Sequence, residues 1–185
     1  MSTVMKTPGR QGNAKTSGAD APVARDRTAV AVFMVIVLAH WAEHVAQAVQ
    51  VFVLGWDRPD AGGVLGLLWP WLVKSEWLHY AYAVVMLIGL ILLRGAFEGR
   101  ARTGWLIALG IQIWHHLEHG LLLIQALLGD PFFGRDVPTS LVQLAFPRIE
   151  LHLFYNAVVF TPMCIAIYLQ FFPPLTSRAR EARPT

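Results

Sequence analysis

HWAEHVAQAVQ (residues 40–50) and HHLEHGLLLIQ (residues 115–125) both satisfy H-x-x-E-H-x5-Q, and each lies inside an apolar run. A shorter pair follows at nearly equal distances: LHYAY (78–82) and LHLFY (151–155) share L-H-x-x-Y. All seven histidines lie in apolar segments, and six of them belong to these motifs. The pattern predicts a tandem duplication. Ionisable groups are costly in hydrocarbon, so a chain that places the same ones at matching positions in both halves is expected to use them together.

The surrounding composition fits a membrane protein. The chain has 185 residues, 55% hydrophobic and only 15% charged, with mean hydropathy +0.48, too apolar for an ordinary soluble domain. Four stretches, roughly 29–54, 70–93, 104–128 and 147–172, are long enough at about 1.5 Å per residue to cross about 30 Å of hydrocarbon. The second reaches that length if Pro70 opens its helix at the first position, where a missing N–H costs nothing. The expected fold is an all-α integral membrane four-helix bundle, built from a duplicated two-helix unit with a pseudo-twofold axis along the membrane normal. Its divisions are a disordered cytoplasmic tail (1–27), a first repeat (28–94), a cytoplasmic loop (95–103), a second repeat (104–175) and a second disordered tail (176–185).

Eleven of the fifteen Lys and Arg residues lie in the tails and the middle loop, against four (Arg58, Lys74, Arg135 and Arg148) in the two other connections. This places both termini in the cytoplasm, and a bacterial plasma membrane is the expected location. The net charge of +3 is accounted for by these flanks, without nucleic acid as a partner. A single cysteine, Cys164, excludes an internal disulfide and reads as a buried packing residue. Trp56, Trp69, Trp71 and Trp105 flank the spans as expected interface anchors.

Helical geometry turns the motifs into faces. At about 100° per residue, His40, Glu43, His44, Gln47 and Gln50 share one stripe about 120° wide. His115, Glu118, His119 and Gln125 repeat it on the third helix. Glu76, His79 and Tyr82 share a face of the second helix, and His152, Tyr155 and Asn156 one of the fourth. Glu150 falls on the far side from His152 and reads as interfacial, near Arg148, while His116 sits to one side of its stripe. The four stripes are expected to converge on the bundle axis.

Buried carboxylates cost about 3 kcal/mol each at the bilayer centre, and a divalent cation offsets that cost by making carboxylates and neutral imidazoles its ligands. His and Glu without Cys suit iron, zinc, manganese or copper. The expected ligands are His40, Glu43, His44, Glu76, His79, His115, Glu118, His119 and His152, more than one ion needs, so two ions are expected, with iron favoured and zinc or copper as alternatives. The arrangement follows the logic of di-iron sites in bundle cores. H-x-x-E-H also has the form of a zinc motif in which two histidines bind metal and the glutamate is a general base.

The leading functional expectation is a metal-dependent membrane oxidoreductase that hydroxylates or desaturates a hydrophobic, lipid-like substrate. Glu43, Glu118, Tyr82 and Tyr155 would take part in the chemistry, and a separate electron donor would supply the reducing equivalents. A zinc-dependent hydrolase or isomerase is the alternative within enzymes. A haem-binding electron carrier, a metal or proton carrier, and a purely structural polar core are the alternatives outside it. Gln47, Gln50, Gln112 and Gln125 read as interhelical hydrogen-bonding groups.

Overall fold

The computed structural model describes residues 20–172, with side chains from Asp26 onward. All regular structure among them is helical: α1 (Asp20–Phe52), α2 (Gly63–Leu68), α3 (Pro70–Val73), α4 (Glu76–Leu93), α5 (Gly99–Leu128) and α6 (Arg148–Phe171), with short 3-10 turns at Arg94–Ala96 and Val142–Leu144. Three helical stretches are long and apolar enough to cross a membrane: Asp26–Phe52, Glu76–Ala96 and Arg148–Phe171. Their outward faces carry large apolar side chains such as Val35, Leu92 and Phe154, exposed by 67%, 74% and 60%. Faces so continuous are suited to lipid rather than water.

Several boundaries differ from those the sequence predicts. Residues 20–27, expected in a disordered tail, form the first turns of α1; the rest of that tail, and the second tail with Arg178, Arg180 and Arg183, lie outside the described residues. The 70–93 stretch is divided. Pro70 does open a helix, at the first position of α3, but the chain breaks after Val73, and Ser75 in an extended conformation caps α4 by accepting a bond from the Trp77 amide. A serine hydroxyl offers the backbone this alternative to continuing the helix. α5 starts at Gly99, so much of the expected middle loop is helical, and it ends on Gly129 at φ 65°, the left-handed cap that glycine adopts without a Cβ penalty.

α5 packs against both α4 and α6, while α1 closes against α6 and, more lightly, α4. Near the termini the core is wholly apolar, with Val30, Phe33, Met86, Leu90, Trp105 and Met163 among its members. Phe33 lies so close to Gly89 that a Cβ there would meet its ring at 2.1 Å. Arg27 ties the end of this region together by donating to the Phe171 carbonyl at 2.8 Å, its guanidinium 5.3 Å from the Phe171 ring centre.

Trp105 is not an interface anchor. It is fully buried, stacks on Phe97 at 4.1 Å and donates Nε1 to the Leu90 carbonyl at 2.9 Å. Ring contacts with Phe33 and Phe97 hold the indole inward, across segments that its sequence position, at the expected membrane edge, does not reveal. Trp56, Trp69 and Trp71 are exposed, as anchors require. Cys164 is half-buried rather than fully enclosed. Trp105→Ala removes a complete core side chain and its hydrogen bond, and is expected to destabilise the protein by about 3–5 kcal/mol, read as a lowered unfolding midpoint in mild detergent.

Candidate metal centre

Above the apolar core, toward the end that carries the 53–75 and 129–147 connections, the interior becomes polar. The H-x-x-E-H motifs sit on α1 and α5, the L-H-x-x-Y motifs one turn inside α4 and α6, and the helix packing brings all four to one level. The ring centres of His40 and His44 are 4.5 Å apart, His44 and His152 5.0 Å, His152 and His119 5.2 Å, His115 and His119 4.5 Å, and His79 lies 6.1 Å from both His119 and His152. Six histidines thus form one continuous cluster. Nitrogens of His115, His119 and His152 lie within 4.8 Å of one another, close enough to hold a metal ion.

Two histidine pairs share one spacing. His40 Nε2 faces His44 Nε2 at 3.2 Å, and His115 Nε2 faces His119 Nε2 at the same distance. Two imidazoles on one tetrahedral ion, each at about 2.0–2.1 Å, hold their nitrogens about 3.3 Å apart, so both pairs are spaced as ligands of a shared ion. His79 Nδ1 donates to the Ser75 carbonyl at 3.1 Å and His152 Nδ1 to the Arg148 carbonyl at 2.7 Å. A backbone acceptor on Nδ1 selects the tautomer whose Nε2 carries a lone pair, and Nε2 of His152 is buried with no partner among the described residues. Gln47 does the same for His44, accepting from Nδ1 at 2.8 Å.

Each motif's glutamate and glutamine turn to the connection that follows their helix. Gln50 exchanges both amide groups with Gly63, at 3.1 and 2.8 Å, and Gln125 does so with Thr139, at 2.9 and 3.1 Å. Glu43 accepts from the Leu65 amide at 3.1 Å. Glu118 accepts from the Val142 amide and the Ser140 hydroxyl, both at 3.0 Å, and from the Tyr155 hydroxyl at 3.4 Å. Two clamps of the same design therefore fold the two connections over the cluster. Gly63 is required in the first: its φ is +71°, and a Cβ would lie 2.4 Å from the Glu43 carboxylate. Gly63→Ala is expected to loosen residues 53–75, seen as faster proteolysis there with the helices unaffected.

Tyr82 stacks on His40 at 4.4 Å, and the Tyr155 ring lies tilted against His115 at 4.3 Å. Glu76 is placed differently from its expected role beside His79. Its carboxylate receives both terminal nitrogens of Arg148 at 2.6 Å, a bidentate pair that bridges α4 and α6. Glu150 pairs with Arg58 rather than lying free near Arg148. His116 stands outside the cluster against Tyr80, at 5.1 Å. Gln112 donates across helices to the Ala83 carbonyl at 3.3 Å, as expected of interhelical hydrogen bonding.

Three small cavities adjoin the cluster. One of about 30 Å³ is lined by His40, Glu43, His44, His79 and Tyr82; another of about 10 Å³ by the corresponding His115, Glu118, His119, His152 and Tyr155. The third, about 20 Å³, lies between the halves, against His40, His79, His115 and His119. Each is the size of about one water or one ion.

The linear pattern gives no site role to Ser140, Trp114 or Arg148, although Arg148 is read there as a flanking charge near Glu150. Trp114 donates Nε1 to the Tyr155 hydroxyl at 2.8 Å, which leaves the Tyr155 proton directed at Glu118. Ser140 belongs to no repeated motif, so nothing in the linear pattern marks it. Arg148 had a signal, since it lies one turn before His152 as Ser75 does before His79, but its partnership with Glu76 crosses 72 residues. No protein-family model, curated protein or solved structure matches the chain.

Proposed function

We propose that this chain is a duplicated four-helix membrane bundle whose histidine cluster holds a dinuclear metal centre that uses dioxygen, with electrons from a separate donor, to oxidise a hydrophobic substrate. The observation that carries the reading is the cluster itself: six buried or half-buried imidazoles in mutual contact, with two Nε2 pairs at 3.2 Å and an unpartnered Nε2 on His152. Neutral imidazoles crowded so closely lose water without gaining enough hydrogen bonds, whereas two cations would use every one of those lone pairs. His40, His44 and His79 form one ligand set and His115, His119 and His152 the other.

In this reading α5 is the fourth span. Its Gln112, His115, Glu118, His119 and Gln125 are buried and turn to the bundle interior, while Ile107, Ile113, Leu117 and Ile124 are exposed and form its lipid face. The pseudo-twofold axis relates α1 and α4 to α5 and α6, and both ends of the chain lie on the cytoplasmic side. Glu43 and Glu118 hold the connections in place and present their remaining lone pairs to the ion-sized cavities. Tyr82 and Tyr155, each against one histidine of a pair, would pass a proton or an electron.

A bound redox metal supplies the oxidising chemistry. The chain's own residues supply a dry histidine pocket and a Tyr155 hydroxyl aimed at Glu118. Iron suits imidazole ligands with carboxylates close by, and copper suits imidazole alone. A haem would use two axial histidines and leave the other four imidazoles and both motif glutamates without a role, which disfavours the haem reading. The apolar core from Val30 to Met163 offers no polar path to the terminal end, which disfavours a carrier. Zinc hydrolysis is the second reading, favoured by Glu118 beside a three-histidine set.

Elemental analysis and an absorption spectrum of the detergent-purified protein test the proposal. About two irons or coppers per chain without a Soret band is the expected result. Zinc alone would replace oxidation by hydrolysis, and no metal under metal-replete expression would sink both readings.

A further inference from the structure

The two histidine sets line corresponding cavities but are enclosed unequally, and only His115, His119 and His152 bring three ligand nitrogens within 4.8 Å of one another. Around the second, Ser140 is 1% exposed and Glu118 5%, and the carboxylate is held by three donors. Around the first, His40, Glu43, Gln47 and His79 are only half-buried, and Glu43 is held by one amide alone. A cleft of about 720 Å³ opens at the end bearing the connections and reaches His44 and His79 of the first set and His152 of the second, whereas His40, His115 and His119 do not line it.

From this we infer that the His40, His44 and His79 set is the reacting site, which takes an exogenous ligand bearing an anionic donor group through the cleft, while the second set keeps its ion closed in. The inference rests on the dinuclear reading given above. Metal sites that only hold structure or relay electrons are closed by protein ligands, whereas reacting ones keep a position open. His152 belongs to the second set through its Nε2, which is buried, although the residue also lines the cleft.

The charge of the cleft indicates the class of ligand. Arg58, Lys74 and Arg148 line it, three of the four basic residues in the two connections and their immediate flanks. Arg148 and Arg58 are fixed in place by Glu76 and Glu150. Lys74 is exposed and has no ion pair among the described residues, so it is the cation free to meet an incoming anion. Asp60 also lines the cleft and offsets Lys74 in the overall charge, so an incoming anion is met by Lys74 itself and not by a net positive cleft.

The test uses the full-length protein loaded with cobalt(II), whose visible bands report coordination whatever the native metal is. Two cobalt ions per chain should leave to excess EDTA in two phases that differ at least tenfold in rate. Azide should shift the bands of the fast ion only. His44→Ala should abolish the fast phase and the azide response, and His119→Ala only the slow phase. Lys74→Glu should weaken azide at least threefold and Lys74→Arg should not.

Displacement of azide by dodecanoate but not acetate would identify the anion as the head of an amphiphile. Equal displacement by acetate would identify a free anion. A single release phase with two ions bound, or an azide response that follows the slow ion, overturns the inference and leaves the dinuclear centre standing. Binding of fewer than two cobalt ions overturns both. The wild-type release curve needs no variant, so a variant that fails to fold cannot hide the answer.

Discussion

His115→Ala/His119→Ala is expected to bind one metal ion fewer per chain than the native protein, and the same loss is expected from His40→Ala/His44→Ala. Each pair supplies two nitrogens 3.2 Å apart, and no other described side chain stands where it could replace them. A site left with one imidazole loses most of its affinity, far beyond the roughly 10–100-fold that a missing outer partner costs. The measurement is metal content after dialysis against a weak chelator, alongside helix content by circular dichroism. A structural polar core would behave in the opposite way. Alanine would then relieve crowding or leave small voids, and metal content would not change. His116→Ala is the control: this histidine lies against Tyr80 outside the cluster, and its loss should leave both ions in place.

Glu118→Ala should separate ligand from clamp. It strips a buried carboxylate from the Val142 amide, the Ser140 hydroxyl and the Tyr155 hydroxyl. Buried donors left without a partner cost about 1–3 kcal/mol each, so a loss of about 3 kcal/mol in stability is expected, with residues 129–147 becoming sensitive to protease. The bound metal should remain at two per chain but exchange faster, because the connection no longer covers it. Loss of one ion in Glu118→Ala, with residues 129–147 still protected, would show instead that the carboxylate is a ligand. Glu43→Ala is expected to have a smaller effect on stability, since Glu43 is half-buried and holds one backbone amide.

Much of this was legible in the linear pattern. Two matched motif pairs at helical spacing are enough to place six histidines on inward faces, because helix periodicity alone decides which residues share a stripe. The membrane-spanning character of α1, α4 and α6 follows from the same arithmetic of length and apolarity. His116 stood to one side of its stripe by that reasoning, and it lies outside the cluster. The clamps were not legible. Gln50 and Gln125 were visible as polar groups in apolar helices, but their partners, Gly63 and Thr139, lie in irregular connections that have no periodicity to read.

Sequence by itself determined which residues face inward and that they recur, since both follow from the fixed rotation per residue of a helix. Tertiary structure decided what each polar group does once inside. Whether Glu76 meets a metal or Arg148, whether Glu118 meets an ion or Ser140, and which half lies open to solvent depend on contacts between segments 20 to 70 residues apart. Such pairings are set by the packing of helices and the course of connections, and a carboxylate in a nearly dry interior binds the strongest donors that this packing brings within reach.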